Sequence, residues 1–282
     1  MKAQKRIIYS CRSLYEKGIL VIFLSMFRDL FNCRELIYRL FWRNFISRYK
    51  QSLLSWGWIF LMPFVTMLTF LALNVSGVLK IGEVKAPYPI YGLISVSVWN
   101  LFSNGLPTIT TSLTSAQDII GKVNFPKESL IFSSIFQVII DFLIRMILIF
   151  FVFCLYLRWP SVYVIIFPIL LIPLLLLVTG LGFLTSILQV IFKDTQHFIN
   201  LLLSLFLFLM PIMYSMPTKG LLYHVNKYNA IYFLISVPRD LMIFGKTTDL
   251  TTFVYSSLLA FFIFIFGWFV FYLSQSKLAE RL

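Results

Sequence analysis

Charged residues are scarce in this 282-residue chain. Asp, Glu, Lys and Arg together make up 12% of the sequence, whereas about 25% is usual in soluble domains. Hydrophobic residues account for 60%, and the mean hydropathy is +0.89. Because so little polar surface is available to face water, the composition excludes a soluble enzyme and indicates a protein embedded in a lipid bilayer.

Residues that bind metals or form disulfides are equally few. The three cysteines, Cys11, Cys33 and Cys154, form no C-x-x-C pair, and the two histidines, His197 and His224, lie far apart. A disulfide framework needs an even, spaced set of cysteines, and a zinc site needs clustered ligands. We therefore expect neither a disulfide scaffold nor a metal site.

The motifs of common hydrolases and transferases are also missing. The sequence contains no D-x-D, G-x-S-x-G or H-E-x-x-H pattern. Gly245-Lys246-Thr247 resembles the end of a phosphate-binding loop, but the position where that loop would begin is Asp240. We therefore do not expect an enzyme with its own nucleotide site. An active process would need energy from a partner protein or an ion gradient.

Long apolar runs are what the sequence does contain. A helix needs about 20 apolar residues to cross ~30 Å of hydrocarbon. Six runs meet this requirement: 53–75, within 88–117, 129–157, within 159–192, 198–216 and 250–276. For the segment 217–250 we predict a pair of short helices that dip into the outer leaflet and return, with a turn at Pro238-Arg239-Asp240. The predicted fold is an all-α membrane protein with six transmembrane helices and a re-entrant helical hairpin before the last span.

The distribution of charge predicts how these spans are oriented. Lys and Arg number 24 against 11 Asp and Glu, and eleven of the 24 lie in the first 50 residues. With six spans, one side of the membrane carries sixteen of the basic residues outside the spans and the other side seven. Because cytoplasmic loops are enriched in Lys and Arg, both termini are predicted to be cytoplasmic.

We expect the first 50 residues to form a cytoplasmic or interfacial N-terminal segment ahead of the transmembrane domain of residues 51–282. The apolar stretch Ile19–Phe27 is too short to span, and the sequence after it lacks the cleavage site of a signal peptide. Over 28–48 the spacing predicts an amphipathic helix at the membrane surface. Its polar face consists of Arg28, Asn32, Glu35, Arg39 and Arg43. Such a helix is either a topological anchor or a contact for a substrate head group or a partner.

Two opposite charges, Asp141 and Arg145, lie one turn apart in the third predicted span. A single charge in hydrocarbon is costly, so this spacing favours a structural ion pair. A proton relay is the alternative. It is disfavoured because an adjacent arginine depresses the pKa of a carboxylate and makes it a poor proton carrier.

Five short motifs, in order along the chain, resemble those of the ABC-2 type exporter permeases. They are RYKQSLLSWGWIFLMPF at 48–64, KVNFPKESL at 122–130, FKDTQHFI at 192–199, PIMYS at 211–215, and Asn229 ahead of an apolar stretch and Pro238. The likeness is greatest to the branch that exports O-antigen, capsule and teichoic-acid polymers. Each motif alone is weak, but together they cover nearly the whole chain.

This resemblance implies partners that the chain itself does not contain. It implies a homodimer in the bacterial inner membrane, docked on two copies of a cytoplasmic ATPase that binds ATP and Mg. In the family, a coupling helix after the second span seats in the ATPase, and here it corresponds to Ser115–Phe125. The residues implied for coupling are Ser115, Gln117, Asp118, Lys122, Phe125, Lys193, Asp194 and His197.

The resemblance also implies an exported polymer carried on a lipid diphosphate. Aromatic rings can stack on sugar faces without holding them tightly. Channel candidates are Trp56, Trp58, Phe60, Trp99, Phe102 and Tyr214, for which an interfacial aromatic belt is the alternative. Candidates for contact with the lipid diphosphate are Arg39, Arg43, Arg48 and Lys50, which could equally be topological anchors.

Other functions stay open at this point. A proton-coupled secondary transporter would use Asp141, and a membrane-embedded enzyme would use the adjacent pair Arg239 and Asp240. Within the ABC-2 permeases, an exporter of teichoic acid, capsule, a drug or a small lipid is the nearest alternative to an O-antigen-like substrate.

Overall fold

The computed structural model describes residues 19–50, 55–77, 86–123, 125–217, 219–247 and 249–281; the side chains of 19–20, 48–50, 55–56, 59 and 276–281 lie outside this description. Throughout these ranges the regular structure is helical, as predicted. The α-helices are α1 (Ile19–Asn32), α2 (Arg34–Lys50), α3 (Ser55–Val75), α4 (Tyr88–Thr110), α5 (Gln117–Ile120), α6 (Glu128–Leu155), α7 (Phe167–Leu170), α8 (Ile172–Ile191), α9 (Thr195–Leu209), α10 (Leu221–Asn226), α11 (Ala230–Phe244) and α12 (Leu250–Arg281).

Three helical segments in the described part of the chain are long and apolar enough to cross a membrane. They are α6, the joined α7 and α8 over Phe167–Ile191, and the Leu250–Gln275 part of α12, with 28, 25 and 26 residues. At 1.5 Å per residue each exceeds the hydrocarbon thickness of about 30 Å. Phe60–Val75 and Thr195–Leu209 are apolar but shorter. The chain is therefore a membrane protein, and the number of crossings stays a prediction.

Contacts at one end of the helices join residues that are distant in sequence. Thr110, the last residue of α4, shares a 2.7 Å hydrogen bond with Thr185 near the end of α8. Glu128, the first residue of α6, accepts a 3.0 Å hydrogen bond from the indole N–H of Trp268 in α12. We call this end A. It contains the connection 111–127 between α4 and α6 and the connection 192–194 between α8 and α9.

Contacts at the opposite end, end B, join the other termini of the same helices. The Tyr88 hydroxyl, at the start of α4, donates to the Met213 carbonyl at 3.2 Å. The Ser161 amide, beyond the end of α6, donates to the Met242 carbonyl of α11 at 2.9 Å. It follows that α4, α6, α8 and α9 alternate in direction between the two ends.

Two glycines allow α8 and α12 to cross with their backbones in contact. A Cβ atom at Gly180 would lie 2.6 Å from the Cα of Phe264 in α12. A Cβ atom at Gly267 would collide with the carbonyl oxygen of Gly180. Since neither position has room for a methyl group, the crossing depends on glycine in both helices.

Some predicted boundaries were wrong. The span expected to run to residue 216 ends at Leu209, because Met210 precedes Pro211 and is extended, with φ −90° and ψ 136°. The turn expected at Pro238 is absent, since Pro238 lies inside α11. Residues 232–239 of this helix are all buried, and tertiary packing outweighs the hydrogen bond that proline removes.

The helix predicted over 28–48 is divided at Cys33 into α1 and α2. The two parts pack on different helices. In α1, Asp29 accepts a 3.0 Å hydrogen bond from the Tyr272 hydroxyl of α12, whereas α2 packs on α6. The polar face is exposed along both parts, as predicted, and Ile37 on the opposite face is buried.

The segment 217–250 contains two short helices, α10 and α11, within its described residues. The Asn229 side chain caps α11 by accepting a 3.1 Å hydrogen bond from the amide of Ile231. The Asn226 side chain donates to the Leu209 carbonyl at 2.8 Å and ties α10 to the end of α9. The presence of two short helices was therefore predicted correctly, and their re-entrant arrangement and depth in the membrane stay predictions.

Candidate functional site

The connection 111–127 at end A presents a polar outer side and an apolar inner side. Its helical turns are Thr114–Ala116 and α5. Leu113, Ile120 and Phe125 are buried and point toward the helices. Four of the predicted coupling residues are exposed on the outer side: Ser115, Gln117, Asp118 and Lys122. The fifth predicted coupling residue of this connection, Phe125, is buried on the inner side of the loop.

The end of this connection is fixed by Lys127, which sequence reasoning missed. The side chain is only 5% exposed, and its Nζ atom donates to the Phe125 carbonyl at 2.9 Å. The same atom lies 4.7 Å from the centre of the Phe125 ring. Burial lowers the pKa of Lys127 from its ordinary value of 10.5, because the charged form loses water. The loop is thus anchored directly before α6 begins.

The connection between α8 and α9 is held by one buried amide, that of Gln189. Its Nε2 atom donates to the Lys193 carbonyl at 2.8 Å, and its Oε1 atom accepts from the Gln196 amide at 2.8 Å. Both polar atoms of the side chain are used, and the turn is closed on itself. The predicted coupling residues Lys193, Asp194 and His197 are exposed on the outer side of this turn. Gln189 was not among the residues singled out from the sequence.

The two connections lie at the same end of the molecule. The hydrogen bond between Thr110 and Thr185 joins α4 and α8 close to where both helices end. Exposed apolar side chains accompany the charges, since Phe192 and Phe198 are each 63% exposed. A surface that mixes exposed aromatic rings with polar residues is typical of a protein interface. We call the exposed residues of 115–123 and 192–198 the end-A surface.

A polar cavity of about 360 Å³ lies behind the first connection. It is bounded by α2, by the end of α4 with residues 111–116, and by the first turns of α6. Six of its eleven lining residues carry a hydroxyl group, and the lining residues are Arg43, Asn44, Ser47, Thr108, Thr111, Ser112, Ser115, Ala116, Leu130, Ser134 and Gln137. The Arg43 guanidinium donates to the Asn44 side-chain oxygen at 2.9 and 3.2 Å.

The predicted channel aromatics occupy different environments. Trp99, Phe102 and Tyr214 are 4%, 2% and 6% exposed, and the first two rings pack 5.6 Å apart. Trp58 is 50% exposed and Phe60 is half-buried. The side chain of Trp56 lies outside the described residues. Within a single chain, therefore, Trp58 and Phe60 are the candidates with an accessible ring face.

The predicted head-group residues lie on α2. Arg39 and Arg43 are exposed, and Arg39 forms a 2.7 Å ion pair with Glu35 one turn earlier. The side chains of Arg48 and Lys50 lie outside the described residues. Because the paired groups are about three quarters exposed, the ion pair adds little stability.

The charges inside the third predicted span are both buried. Asp141 is 8% exposed and Arg145 is 7% exposed, on adjacent turns of α6. Gln137 donates its side-chain N–H to Asp141 at 3.0 Å. This placement is what a structural ion pair requires, and the pairing itself stays a prediction.

Arg239 joins three segments at end B. Its Nε atom is 2.8 Å from the Asp240 carboxylate, and its Nη1 atom donates to the Ile212 carbonyl at 3.2 Å. The guanidinium carbon lies 4.2 Å from the centre of the Tyr91 ring. With the side chain 3% exposed, its donors are directed at protein groups. The pair Arg239 and Asp240 therefore resembles a packing centre rather than an open catalytic site.

Comparison with known proteins agrees with this architecture. The sequence model of the ABC-2 type transporter family matches residues 35–243, well over half of the chain. The chain belongs to the ABC-2 type transporter family. It is also similar to the O-antigen export system permease protein RfbA of Myxococcus xanthus, with 26% identity over 195 residues, 69% of this chain and 74% of that protein. The resemblance drawn from the five motifs is confirmed. Members of this family are the transmembrane subunits of transporters and generally work with a separate ATPase.

Proposed function

We propose that this chain is the permease subunit of an ATP-driven exporter that moves a lipid-linked, O-antigen-like polysaccharide out of the cytoplasm. The observation that carries the proposal is the end-A surface, where two connections present charged and aromatic residues together. The similarity to a permease named for O-antigen export supports the substrate class. Export of teichoic acid, capsule, a drug or a small lipid is the alternative within the same family.

In this proposal end A is the cytoplasmic side of the bacterial inner membrane. The six predicted spans correspond to α3, α4, α6, the joined α7 and α8, α9, and α12. The side of the membrane that is predicted to carry sixteen basic residues and both termini then corresponds to end A. The hairpin of α10 and α11 lies at end B, toward the outer leaflet.

The end-A surface is proposed to dock the ATPase, which binds ATP and Mg. Its connections are suited to transmit force because they are held rigidly, by Lys127 at the start of α6 and by Gln189 at the end of α8. A movement of the ATPase would then shift the ends of α4, α6, α8 and α9 together. Rigid elements with few arrangements couple sites better than flexible loops do.

The channel is proposed to form at the axis of a homodimer. Trp58 and Phe60 on α3 are the rings with an accessible face, and Trp56, Trp99, Phe102 and Tyr214 remain assigned to the same path. Stacking on sugar rings would give many weak contacts, which a moving polymer needs. Arg39 and Arg43, with Arg48 and Lys50, would attract the diphosphate at the cytoplasmic face.

The docking proposal is tested by affinity purification of the chain from its native membrane in mild detergent. We expect an ABC ATPase to co-purify in equal amount. In the variant Asp118→Lys with Lys122→Glu, the net charge is kept but its pattern is reversed, and we expect a severalfold loss of ATPase.

The matched control is Lys219→Glu with Lys227→Glu, two exposed lysines near end B. This variant should retain the ATPase although it changes more charge. Equal loss from both variants would show that the effect is not local to the end-A surface. Purification of the chain with no ATPase, under conditions that preserve other ABC complexes, would refute the proposal and favour a transporter driven by an ion gradient.

A further inference from the structure

The polar cavity behind the first connection has no ligand assigned to it above, although Ser115 of its wall also belongs to the end-A surface and Arg43 is one of the proposed head-group contacts. Its volume of about 360 Å³ lies at the lower end of the roughly 300–1,000 Å³ typical of small-molecule sites. It is formed by three separate elements, α2, α4 with its following loop, and α6. Two buried polar atoms of its lining residues, Ser112 Oγ and Gln137 Oε1, have no hydrogen-bond partner among the described residues.

Most of the hydroxyl groups of the wall present acceptors rather than donors. Four of the six donate their one hydrogen to a backbone carbonyl of the preceding turn: Thr108 to Asn104, Thr111 to Pro107, Ser115 to Thr111 and Ser134 to Leu130. A hydroxyl has one hydrogen and two lone pairs, so the lone pairs remain for a ligand.

The amide of Gln137 adds another acceptor, and its orientation is fixed. Its Nε2 atom donates to the Asp141 carboxylate at 3.0 Å, an arrangement that a flipped amide could not make. The oxygen therefore points away from Asp141, and it is the atom without a partner. A buried acceptor left unpaired is destabilising, and a donor on a ligand would recover that loss.

We propose that this cavity binds one neutral sugar ring through the ring's hydroxyl hydrogens. A phosphate group, which mainly accepts hydrogen bonds, would pair with the donors of the wall and leave its acceptors unpaired. The donors belong to Arg43, Asn44, Ser47 and Ser112. A sugar ring both donates to the acceptors of the wall and accepts from Arg43. Naming this ring as a unit of the exported polymer rests on the proposed function; the preference for a polyhydroxyl ligand rests on the cavity alone.

The test uses the full chain purified in lipid nanodiscs, with Ser47→Cys as a reporter at the exposed rim of the cavity. The rate at which this cysteine is alkylated by a maleimide is read by mass spectrometry of its peptide. The probes are methyl glucoside, methyl mannoside, methyl rhamnoside, inorganic phosphate and pyrophosphate, each up to about 100 mM, because a few neutral hydrogen bonds give millimolar affinity. The control reporter is Gln117→Cys, which is exposed and does not line the cavity.

We expect at least one methyl glycoside to slow alkylation at position 47 by about threefold or more at saturation, and the phosphates to slow it less than that glycoside does. Ser112→Ala should weaken this protection without lowering thermal stability, since the lost hydroxyl has no partner. Ser97→Ala removes a similarly buried and unpartnered hydroxyl inside α4, away from the cavity, and should keep the protection.

Protection by phosphate and not by glycosides would overturn the proposal in favour of an anion site. Absence of protection by every probe would overturn it in favour of a water-filled cavity. The measurement needs neither ATPase nor export. Failure here therefore leaves the docking result intact, and failure of docking leaves the cavity result intact.

Discussion

Replacement of Arg239 is the sharpest test of the packing at end B. Arg239→Met keeps the length of the side chain and removes the guanidinium, which is 3% exposed and contacts Ile212, Asp240 and the Tyr91 ring. Arg239→Lys keeps the charge but loses the planar guanidinium group and its stacking on the Tyr91 ring.

The cost follows from these contacts. Leaving the Ile212 carbonyl without its donor costs about 1–3 kcal/mol, and loss of a desolvated contact with the Tyr91 ring costs about 2 kcal/mol. The Asp240 side chain is 25% exposed, so water compensates part of that lost ion pair. We expect about 3–5 kcal/mol for Arg239→Met, in the range for breaking a buried charged network, and roughly half of that for Arg239→Lys.

The assay is thermal unfolding in detergent, followed by the fraction that still elutes as a single peak on size exclusion. A loss of this size lowers the midpoint on the order of 10 °C. Arg158→Met, at an exposed arginine near the same end, should change stability by less than about 0.5 kcal/mol. In a double-mutant cycle with Tyr91→Leu we expect a coupling energy of about 0.5–3 kcal/mol. Wild-type stability of Arg239→Met, or zero coupling to Tyr91, would refute the reasoning.

Three further predictions concern stability and transport. Gly267→Ala places a methyl group against the backbone of α8 and should lower the free energy of unfolding by about 1–3 kcal/mol. The control is Gly57→Ala, whose Cβ meets nothing within 4 Å and which should be neutral or stabilising by up to about 1 kcal/mol. Equal shifts of the thermal midpoint in both variants would contradict the close crossing of α8 and α12. Because burial lowers the pKa of Lys127, the unfolded chain holds more protons just below pH 10.5, so stability should rise with pH there. Lys127→Met should abolish that rise in stability. If the rise persists in this variant, Lys127 is not its cause. Asp141→Asn should lower stability but leave the export rate per folded protein unchanged. Loss of export in this variant would indicate proton coupling.

The sequence was sufficient for the helices themselves, because long apolar runs and their charged borders dominate the signal. It was insufficient where a neighbour decides the outcome. Pro238 continues inside α11 because the helix around it is buried, and the division at Cys33 follows from α1 and α2 packing on different helices. Neither the burial around Pro238 nor the different packing partners of α1 and α2 can be read from the local sequence pattern.

For the candidate site, the sequence predicted which charged residues are exposed but not which buried residues hold the connections in place. Asp118 and Lys193 are exposed in connections between helices, as expected of charges outside the apolar runs, and their role in coupling stays a prediction. Lys127 and Gln189 hold these connections from inside, and a single buried lysine or glutamine has no sequence signature. The polar cavity was equally hidden, since its wall combines residues more than 90 positions apart, such as Arg43 and Gln137.

The central claim is that the end-A surface docks a separate ATPase, and site-specific photocrosslinking in native membranes tests it most directly. A photoreactive phenylalanine analogue is introduced at Gln117 or at Phe198, both exposed on that surface, or at Tyr228 near end B as the control. We predict that Gln117 and Phe198 each give a product containing this chain and an ABC ATPase, and that Tyr228 gives none. Absence of the ATPase from the products at both end-A positions, or its presence at Tyr228, would contradict the account.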